Sequence, residues 1–331
     1  MIRRFFPTRF LTLTVAAVIG VCGLQAAVAQ TYPSKPLRLV VPFPPGGPTD
    51  VFGRAYAAKL STVLGQPVVV DNKSGASGIV GTLEVKRSAP DGYTLNFGTA
   101  STNCLYPLLS SNPQYDVLTD FVPVAVIGGA SIVITAHPSQ PPTLKALLDA
   151  SRAQPGKFQF GSPGTGTLMH MTVERLKRET GADLLHVPFR GSAPSMQALL
   201  GGQIGVSVDT IGPSLANHKA GKIRILALAS PKRSPLMPEV PTVDEALGTR
   251  GFEAVLWNVI VVPAGTPPAV VDVLSQATAK VMSDATLQEQ LANLGIETFA
   301  GSNPVHAAAY IRAEQARWKP VIEASGVKMA E

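Results

Sequence analysis

The segment from Lys35 to Gly65 reads KPLRLVVPFPPGGPTDVFGRAYAAKLSTVLG. Its beginning, Leu37 to Phe43, is almost wholly apolar without polar alternation, which predicts a strand covered on both faces of a sheet. Gly46 and Gly47 allow a tight turn and a close approach of the backbone to a ligand. Thr49 is a candidate cap for the next helix, whose first N–H groups lack partners within the helix. This strand, turn and helix together predict an anion-binding site.

A second copy of this pattern lies between Lys157 and Gly181, in KFQFGSPGTGTLMHMTVERLKRETG. A short strand, Phe158 to Phe160, leads into a glycine-rich turn, and Thr165 and Thr167 stand at the start of the next helix. Two such turns, far apart in the chain, predict two lobes that close on one small anion.

Motifs spread over most of the chain resemble, in their order, one known family. They are PSKPLRLVVPFPPGGPTD from residue 33, APDGYTL from 89, HVPFRGSAPSMQALLGGQ from 186, KRSPLMPEVPTVDEA from 232 and VVPAGTPPAVVDVL from 261. Together they resemble the Bug proteins, the solute-binding components of tripartite tricarboxylate transporters. The resemblance implies a two-lobe periplasmic binding protein of type II, the Venus-flytrap fold, which captures small carboxylates without transforming them. It also implies the membrane permease subunits of such a transporter as partners.

Short apolar runs alternate with helical stretches, which predicts an α/β fold in which each lobe is a mostly parallel sheet flanked by helices. The apolar runs Val122–Ile127 and Ser131–Ala136 are predicted as separate strands. The resemblance implies that lobe 1 comprises residues 30–130 and 255–331, with lobe 2, residues 131–254, inserted between them. The chain would then cross the hinge twice, which permits rigid-body closure around a ligand.

The last predicted helix begins near Pro304 and ends before Gly326. Charged residues, Glu314 among them, are expected largely off its apolar face, and Pro320 predicts a kink or an early end. Four apolar residues at steps of four and seven form that face: Ala307, Ile311, Trp318 and Ile322.

The first 29 residues predict a secretory signal peptide. A basic start, an apolar stretch from Phe10 to Val21 and the tripeptide Ala27-Val28-Ala29 predict cleavage after Ala29 and export to the periplasm. The pair Arg3-Arg4 leaves the twin-arginine route open beside the general secretory route. This leader contains three arginines and no acid, so its removal lowers the net charge from +6 to +3.

Composition excludes several classes of protein. A chain of 331 residues, 45% hydrophobic and only 15% charged, is typical of packed globular lobes and not of a disordered protein. No basic run interleaved with aromatic residues supports nucleic-acid binding. Outside the leader Cys104 is the single cysteine, which rules out an intramolecular disulfide, and the five histidines are scattered. We therefore predict a monomer with no metal and no cofactor.

Candidate ligand-binding residues come from the loops that follow the predicted strands, because ligands of open α/β sheets bind at the carboxyl ends of strands. Asp209 is added, because a carboxylate that ends an apolar strand must be paired, hydrogen-bonded or face the cleft. Asp50 is interpreted as structural. Arg190 either meets a ligand carboxylate or forms an ion pair, and the ion pair is preferred. The candidates are Phe43, Pro45, Gly46, Gly47, Thr49, Ser77, Gly78, Thr99, Ser101, Ser162, Gly164, Thr165, Gly166, Thr167 and Asp209.

Three function classes follow. The main one is a binding protein that captures a di- or tricarboxylate, an aromatic carboxylate or a carboxamide-like solute and delivers it to a transporter. The second is a ligand sensor that presents its loaded form to a signalling receptor, which sequence does not separate from transport. The third, an enzyme acting on a small organic acid, is disfavoured because the chain lacks the glycine spacing of dinucleotide enzymes, a nucleophile elbow and an H-E-x-x-H motif.

Overall fold

A long central strand, Phe121–Ala136, joins two groups of strands in the computed structural model, which describes residue 2 and residues 32–329. The elements below belong to the compact unit that begins at Lys35. Apart from residue 2, the predicted signal peptide lies outside the described residues.

The strands of the described residues are β1 Leu37–Val41, β2 Val68–Asn72, β3 Thr94–Thr99, β4 Phe121–Ala136, β5 Gln159–Ser162, β6 Leu185–Pro188, β7 Val206–Thr210, β8 Arg224–Ala229, β9 Val255–Pro263 and β10 Ile296–Thr298. The helices are α1 Pro48–Leu64, α2 Ile79–Lys86, α3 Tyr106–Leu109, α4 Leu144–Ala153, α5 Leu168–Thr180, α6 Ser192–Leu200, α7 Ile211–Lys219, α8 Val243–Leu247, α9 Pro268–Met282, α10 Ala285–Ala292 and α11 Pro304–Ser325. A tight helical turn, Ala76–Gly78, precedes α2, and a π-helical turn, Ser101–Leu105, precedes α3.

Strands at both ends of the sheet run parallel, whereas those in its middle run antiparallel. β1 pairs in parallel with β2 and β3, and β5 does so with β6 and β7. β9 is antiparallel to β3 and β4, and β4 is also antiparallel to β7, β8 and β10. The prediction of mostly parallel sheets is therefore wrong for the middle. The chain passes between the two strand groups through β4 and β9, which run in opposite directions.

The apolar runs predicted as two strands around residue 129 form one strand, β4. A Cβ atom on Gly128 would lie 2.4 Å from the carbonyl oxygen of Glu297, and one on Gly129 would lie 2.7 Å from a methyl carbon of Val255. The two glycines therefore interrupt the apolar run without ending the strand, since they let β10 and β9 approach the backbone closely.

The last helix, α11, continues through Pro320 to Ser325 and buries all four residues of the predicted apolar face. Its prediction is wrong for Glu314, which lies on the buried side. That carboxylate is satisfied there by the indole N–H of Trp257, 3.0 Å away, and by the guanidinium of Arg317, 2.8 Å away. Among the described helices, none has both the length and the apolar character that crossing a membrane requires.

Candidate ligand cleft

The turn after β1 brings the start of α1 to the edge of the sheet. Gly46 has a φ of +81°, which glycine adopts without strain. The helix begins at Pro48, with Gly47 as its N-cap and no side-chain cap. The cap predicted at Thr49 is therefore wrong. Proline starts the helix two residues earlier than a cap at Thr49 would, because it lacks an N–H group and its φ already suits a helix.

Asp50 holds this turn in place. Its carboxylate accepts hydrogen bonds from the N–H of Gly46 at 2.9 Å, from the side-chain amide of Asn72 at 2.8 Å and from Nε of Arg54 at 3.0 Å. Burial would raise the pKa of Asp50, but these hydrogen bonds outweigh burial and lower the pKa below its usual value. The carboxylate ties the turn to β2 and α1, as its structural interpretation predicts.

The glycine-rich turn after β5 is closed by Thr167, the N-cap of α5. The Thr167 hydroxyl accepts a hydrogen bond from the N–H of His170 at 3.4 Å and donates one to the carbonyl oxygen of Gly164 at 2.8 Å. Gly164 and Gly166 have φ values of +154° and +74°. The predicted position of Thr167 at the start of the helix is confirmed, and glycine is needed where the turn reverses.

A third helix N-terminus, that of α6, reaches the same cleft, and the sequence-based site prediction missed it. Gly191, with a φ of +110°, is the N-cap, and Ser192 is the first residue of the helix. The signal was present in the sequence, since Gly191-Ser192 follows the short strand β6 just as Gly47-Pro48 follows β1.

The three helix starts enclose an inner cavity of about 40 Å³, enough for a small polar group such as a carboxylate. An outer space of about 470 Å³ shares Phe43, Pro44, Pro163 and Gly191 with it and is lined by residues of the turns 42–44, 74–78, 163–164 and 189–191. The inner cavity is lined by Phe43, Pro44, Pro45, Gly47, Pro48, Thr49, Ser101, Pro163, Thr167, Met169, Gly191, Ser192, Ala193, Pro194 and Leu256.

The structure brings nine of the fifteen predicted site residues to this cleft. Six line the inner cavity: Phe43, Pro45, Gly47, Thr49, Ser101 and Thr167. Three more line the outer space: Ser77, Gly78 and Gly164. The other six line neither: Gly46, Thr99, Ser162, Thr165, Gly166 and Asp209. Contact of any of them with a ligand stays a prediction.

Several of the residues that line neither space stabilise the turns. The Thr99 hydroxyl lies 3.3 Å from the hydroxyl of Thr102, which belongs to the π-helical turn before α3. The N–H of Gly166 donates to Nδ1 of His170 at 3.1 Å, and the carbonyl oxygen of Thr165 accepts from Ser77 at 2.7 Å.

The model of the tripartite tricarboxylate transporter family receptor matches residues 52–327. The chain belongs to this family. It is 35% identical to Protein BugT of Bordetella pertussis, over 97% of this chain and 99% of that protein. The structure of Rpa4515 from R. palustris with adipate is 34% identical, with a TM-score of 0.85 over 90% of this chain and 99% of the other. The structure of MatC from Rhodopseudomonas palustris with bound malate is 30% identical, with a TM-score of 0.83 over 88% of this chain and 100% of the other. The family is one of periplasmic solute-binding proteins with the two-lobe fold.

In this receptor, Asp209 lies next to Ser192, the first residue of α6. Its side chain is buried, and its carboxyl group accepts hydrogen bonds from the N–H of Thr210 at 2.7 Å and from the Ser192 hydroxyl. Burial raises the pKa of Asp209 to about 6, although both hydrogen bonds act in the opposite direction. Asp209 therefore does not line the inner cavity itself, but its hydrogen bond positions Ser192, which does.

Two histidines of the receptor stack behind the glycine-rich turn. The rings of His170 and His186 are nearly parallel with centroids 3.7 Å apart, and Nε2 of His186 lies 2.7 Å from the Ser162 hydroxyl. Burial and, to a lesser extent, the neighbouring His170 lower the pKa of His186 to about 3, so its ring is neutral at neutral pH. A hydrogen bond like that between Ser162 and His186 is found between a catalytic nucleophile and its general base. The Ser162 side chain, however, is fully buried and lines neither the inner cavity nor the outer space.

The remaining reactive groups of the receptor lie away from the cleft lining. The Cys104 thiol is buried, and burial raises its pKa far above the usual range, which keeps it a thiol. Within residues 32–329, no group of three or more His, Cys, Asp or Glu side chains could hold a metal ion. The chemistry that the lining of the inner cavity offers is hydrogen bonding from hydroxyl groups and helix N-termini.

Proposed function

We propose that this protein captures a small carboxylate between its two lobes and presents it to the permease subunits of a tripartite tricarboxylate transporter. One observation carries the proposal: the N-termini of α1, α5 and α6 converge on one cavity. Helix N-termini favour anions through their free N–H groups and the helix dipole. The solved relatives with adipate and malate support a carboxylate as the anion.

The polar groups around the inner cavity suit a carboxylate. The side chains of Thr49, Ser101, Thr167 and Ser192 line it beside the backbone of Gly47 and Gly191. The hydroxyl groups of Thr167 and Ser192 already donate to the carbonyl oxygen of Gly164 and to Asp209, so the donors to a carboxylate are the hydroxyl groups of Thr49 and Ser101 and the N–H groups of the helix starts. Each hydrogen bond to a carboxylate oxygen contributes about 1.5–3 kcal/mol, so a few such bonds account for tight binding. We propose that these groups, together with the nine predicted residues at the cleft, hold the ligand without any chemical change to it.

The finer organisation follows from the same proposal. The leader, residues 1–29, would direct export and be removed, and the mature monomer would act in the periplasm. Lobe 1 would comprise residues 30–130 and 255–331, and lobe 2 residues 131–254. The antiparallel course of β4 and β9 through the middle of the sheet supports two hinge crossings, one in each direction.

A calorimetric titration of the refolded mature protein tests this function. Refolding removes any ligand carried through purification, and each carboxylate is paired with its methyl ester as a control without the charge. We expect at least one carboxylate to bind, its ester to fail, and small-angle scattering to record compaction on binding. The function is wrong if no carboxylate binds, or if a bound carboxylate is recovered chemically altered.

A further inference from the structure

A short segment after α11, residues 326–329, packs back onto the protein. Gly326, with a φ of +67°, is the C-cap of α11, and this left-handed conformation ends the helix. Val327 and Met329 are half-buried and pack against the hydrophobic core, whereas Lys328 between them is exposed. The segment therefore lies along the protein surface with alternate side chains directed inward.

Met329 contacts two elements that the proposed division assigns to different lobes. Its N–H donates a hydrogen bond to the carbonyl oxygen of Leu109, at the end of α3 in lobe 1, at 3.2 Å. A Cβ atom on Gly166, in the glycine-rich turn of lobe 2, would lie 2.7 Å from the sulfur atom of Met329 and 3.2 Å from a methyl carbon of Leu109. Met329 and Leu109 therefore lie directly against the backbone of Gly166, and a larger residue at position 166 would displace them.

These contacts occupy Gly166 on both sides. Its N–H donates to Nδ1 of His170 at 3.1 Å, and the space into which a Cβ atom would project is filled by Met329. Gly166 also has a φ of +74°, which glycine adopts without strain. The missing side chain of Gly166 thus makes room for the methionine.

The contact between Met329 and Gly166 lies outside the ligand cleft. Thr167 lines the inner cavity and Gly164 the outer space, whereas Leu109, Gly166 and Met329 line neither. A contact that joins two lobes without touching the ligand stabilises the closed form and takes no part in ligand recognition.

We propose that residues 326–329 form a strap that holds the two lobes closed, with Met329 docked on Gly166. This rests on the proposed function, because it requires that the lobes close on a ligand. Opening of the lobes separates Gly166 from Met329 and exposes apolar surface to water, which is unfavourable. The strap therefore slows release of the ligand and changes its capture little, because the contact forms only after the lobes have met.

Stopped-flow binding to the mature protein tests the inference, with adipate and malate, the compounds of two solved relatives, as ligands. Met329→Ala removes most of the side chain that contacts Gly166. We expect it to raise the dissociation rate about three- to tenfold and to change the association rate by less than about twofold. Met329→Leu keeps an apolar side chain of similar volume and should keep the dissociation rate of the wild type. Lys328→Ala, at the exposed neighbouring residue, is the matched control.

An unchanged dissociation rate in Met329→Ala, or an equal increase in Lys328→Ala, overturns the inference and leaves the proposed function standing. A wild type that binds neither compound counts against the proposed function, and small-angle scattering without ligand then decides the inference. The radius of gyration of Met329→Ala should exceed that of the wild type, and equal values overturn the strap.

Discussion

The hydroxyl group of Ser77 donates a hydrogen bond to the carbonyl oxygen of Thr165, 2.7 Å away, and so links two turns that are 88 residues apart. A second link, between the Ser101 hydroxyl and the N–H of Leu168 at 3.0 Å, joins the start of α5 to the turn after β3. Ser77 has a φ of +55° and Ala76 one of +44°, conformations that are unfavourable for residues with a side chain. The backbone at Ser77 is thus held in a strained form that aims the hydroxyl across the cleft.

Ser77→Ala removes this link, and we expect it to weaken ligand binding by about two- to tenfold, because a neutral hydrogen bond contributes about 0.5–1.5 kcal/mol. The weaker binding should appear mainly as a faster dissociation of the ligand, since the link forms only when the two turns meet. Stopped-flow binding measures both rates. Ser88→Ala is the matched control, because Ser88 bonds only within its own segment, to the carbonyl oxygen of Glu84. An unchanged dissociation rate in Ser77→Ala would contradict the role of the link.

Gly47→Ala should block the cavity while preserving the fold. Gly47 has a φ of −79°, which alanine adopts readily, and the nearest atom to an added Cβ is the carbonyl oxygen of Pro44, 3.7 Å away. Gly47 lines the inner cavity and is the N-cap of α1, so we expect a methyl group there to narrow the space for the ligand carboxylate and to lower the affinity about tenfold or more. Calorimetry gives the affinity and thermal melting the stability. Gly201→Ala, at the far end of α6 with a φ of −81°, serves as the control. Full affinity in Gly47→Ala would rule out the turn after β1 as a ligand contact.

Asp209→Asn should change how stability depends on pH. The pKa of Asp209 is raised to about 6 in the folded protein, so its stabilising contribution is fully present below its ordinary pKa of 3.8 and is lost as pH rises through about 6. Asparagine does not titrate. The stability of the variant relative to the wild type should therefore rise between pH 4 and pH 7, by up to about 3 kcal/mol, and then level off. Urea denaturation at a series of pH values measures the difference, and a pH-independent difference would contradict it.

Glu314→Ala should destabilise the protein by about 3 kcal/mol, because it leaves the fully buried indole N–H of Trp257 and the guanidinium of Arg317 without their shared acceptor. Glu323→Ala is the control on the same helix. Glu323 is 65% exposed and lies 3.9 Å from Lys319, so its removal should change stability by less than about 0.5 kcal/mol. Chemical denaturation compares the two variants, and similar losses in both would show that the buried network is not what stabilises α11.

Local patterns predicted much of the candidate site, and each miss has a physical cause. The strand that begins at Leu37 and the two glycine-rich turns are predictable because strand burial and turn conformation depend on neighbouring residues, although the strand ends at Val41 and not at Phe43. The cap predicted at Thr49 is wrong because Pro48 starts the helix, with Gly47 as its N-cap. The prediction places Glu314 largely off the apolar face, since periodicity alone does not reveal that Trp257 offers a buried N–H to it.

The sequence by itself determined the strand, turn and helix units, the buried face of α11 and, through its ordered motifs, the family. These features rest on periodicity and on glycine and proline conformations, which act over a few residues. Only the tertiary structure decided that α6 supplies a third helix N-terminus to the cavity and that Leu256 lines it. Residues near positions 47, 167, 192 and 256 meet there because β4 and β9 pair antiparallel in the middle of the sheet, and no local pattern encodes that pairing across more than a hundred residues.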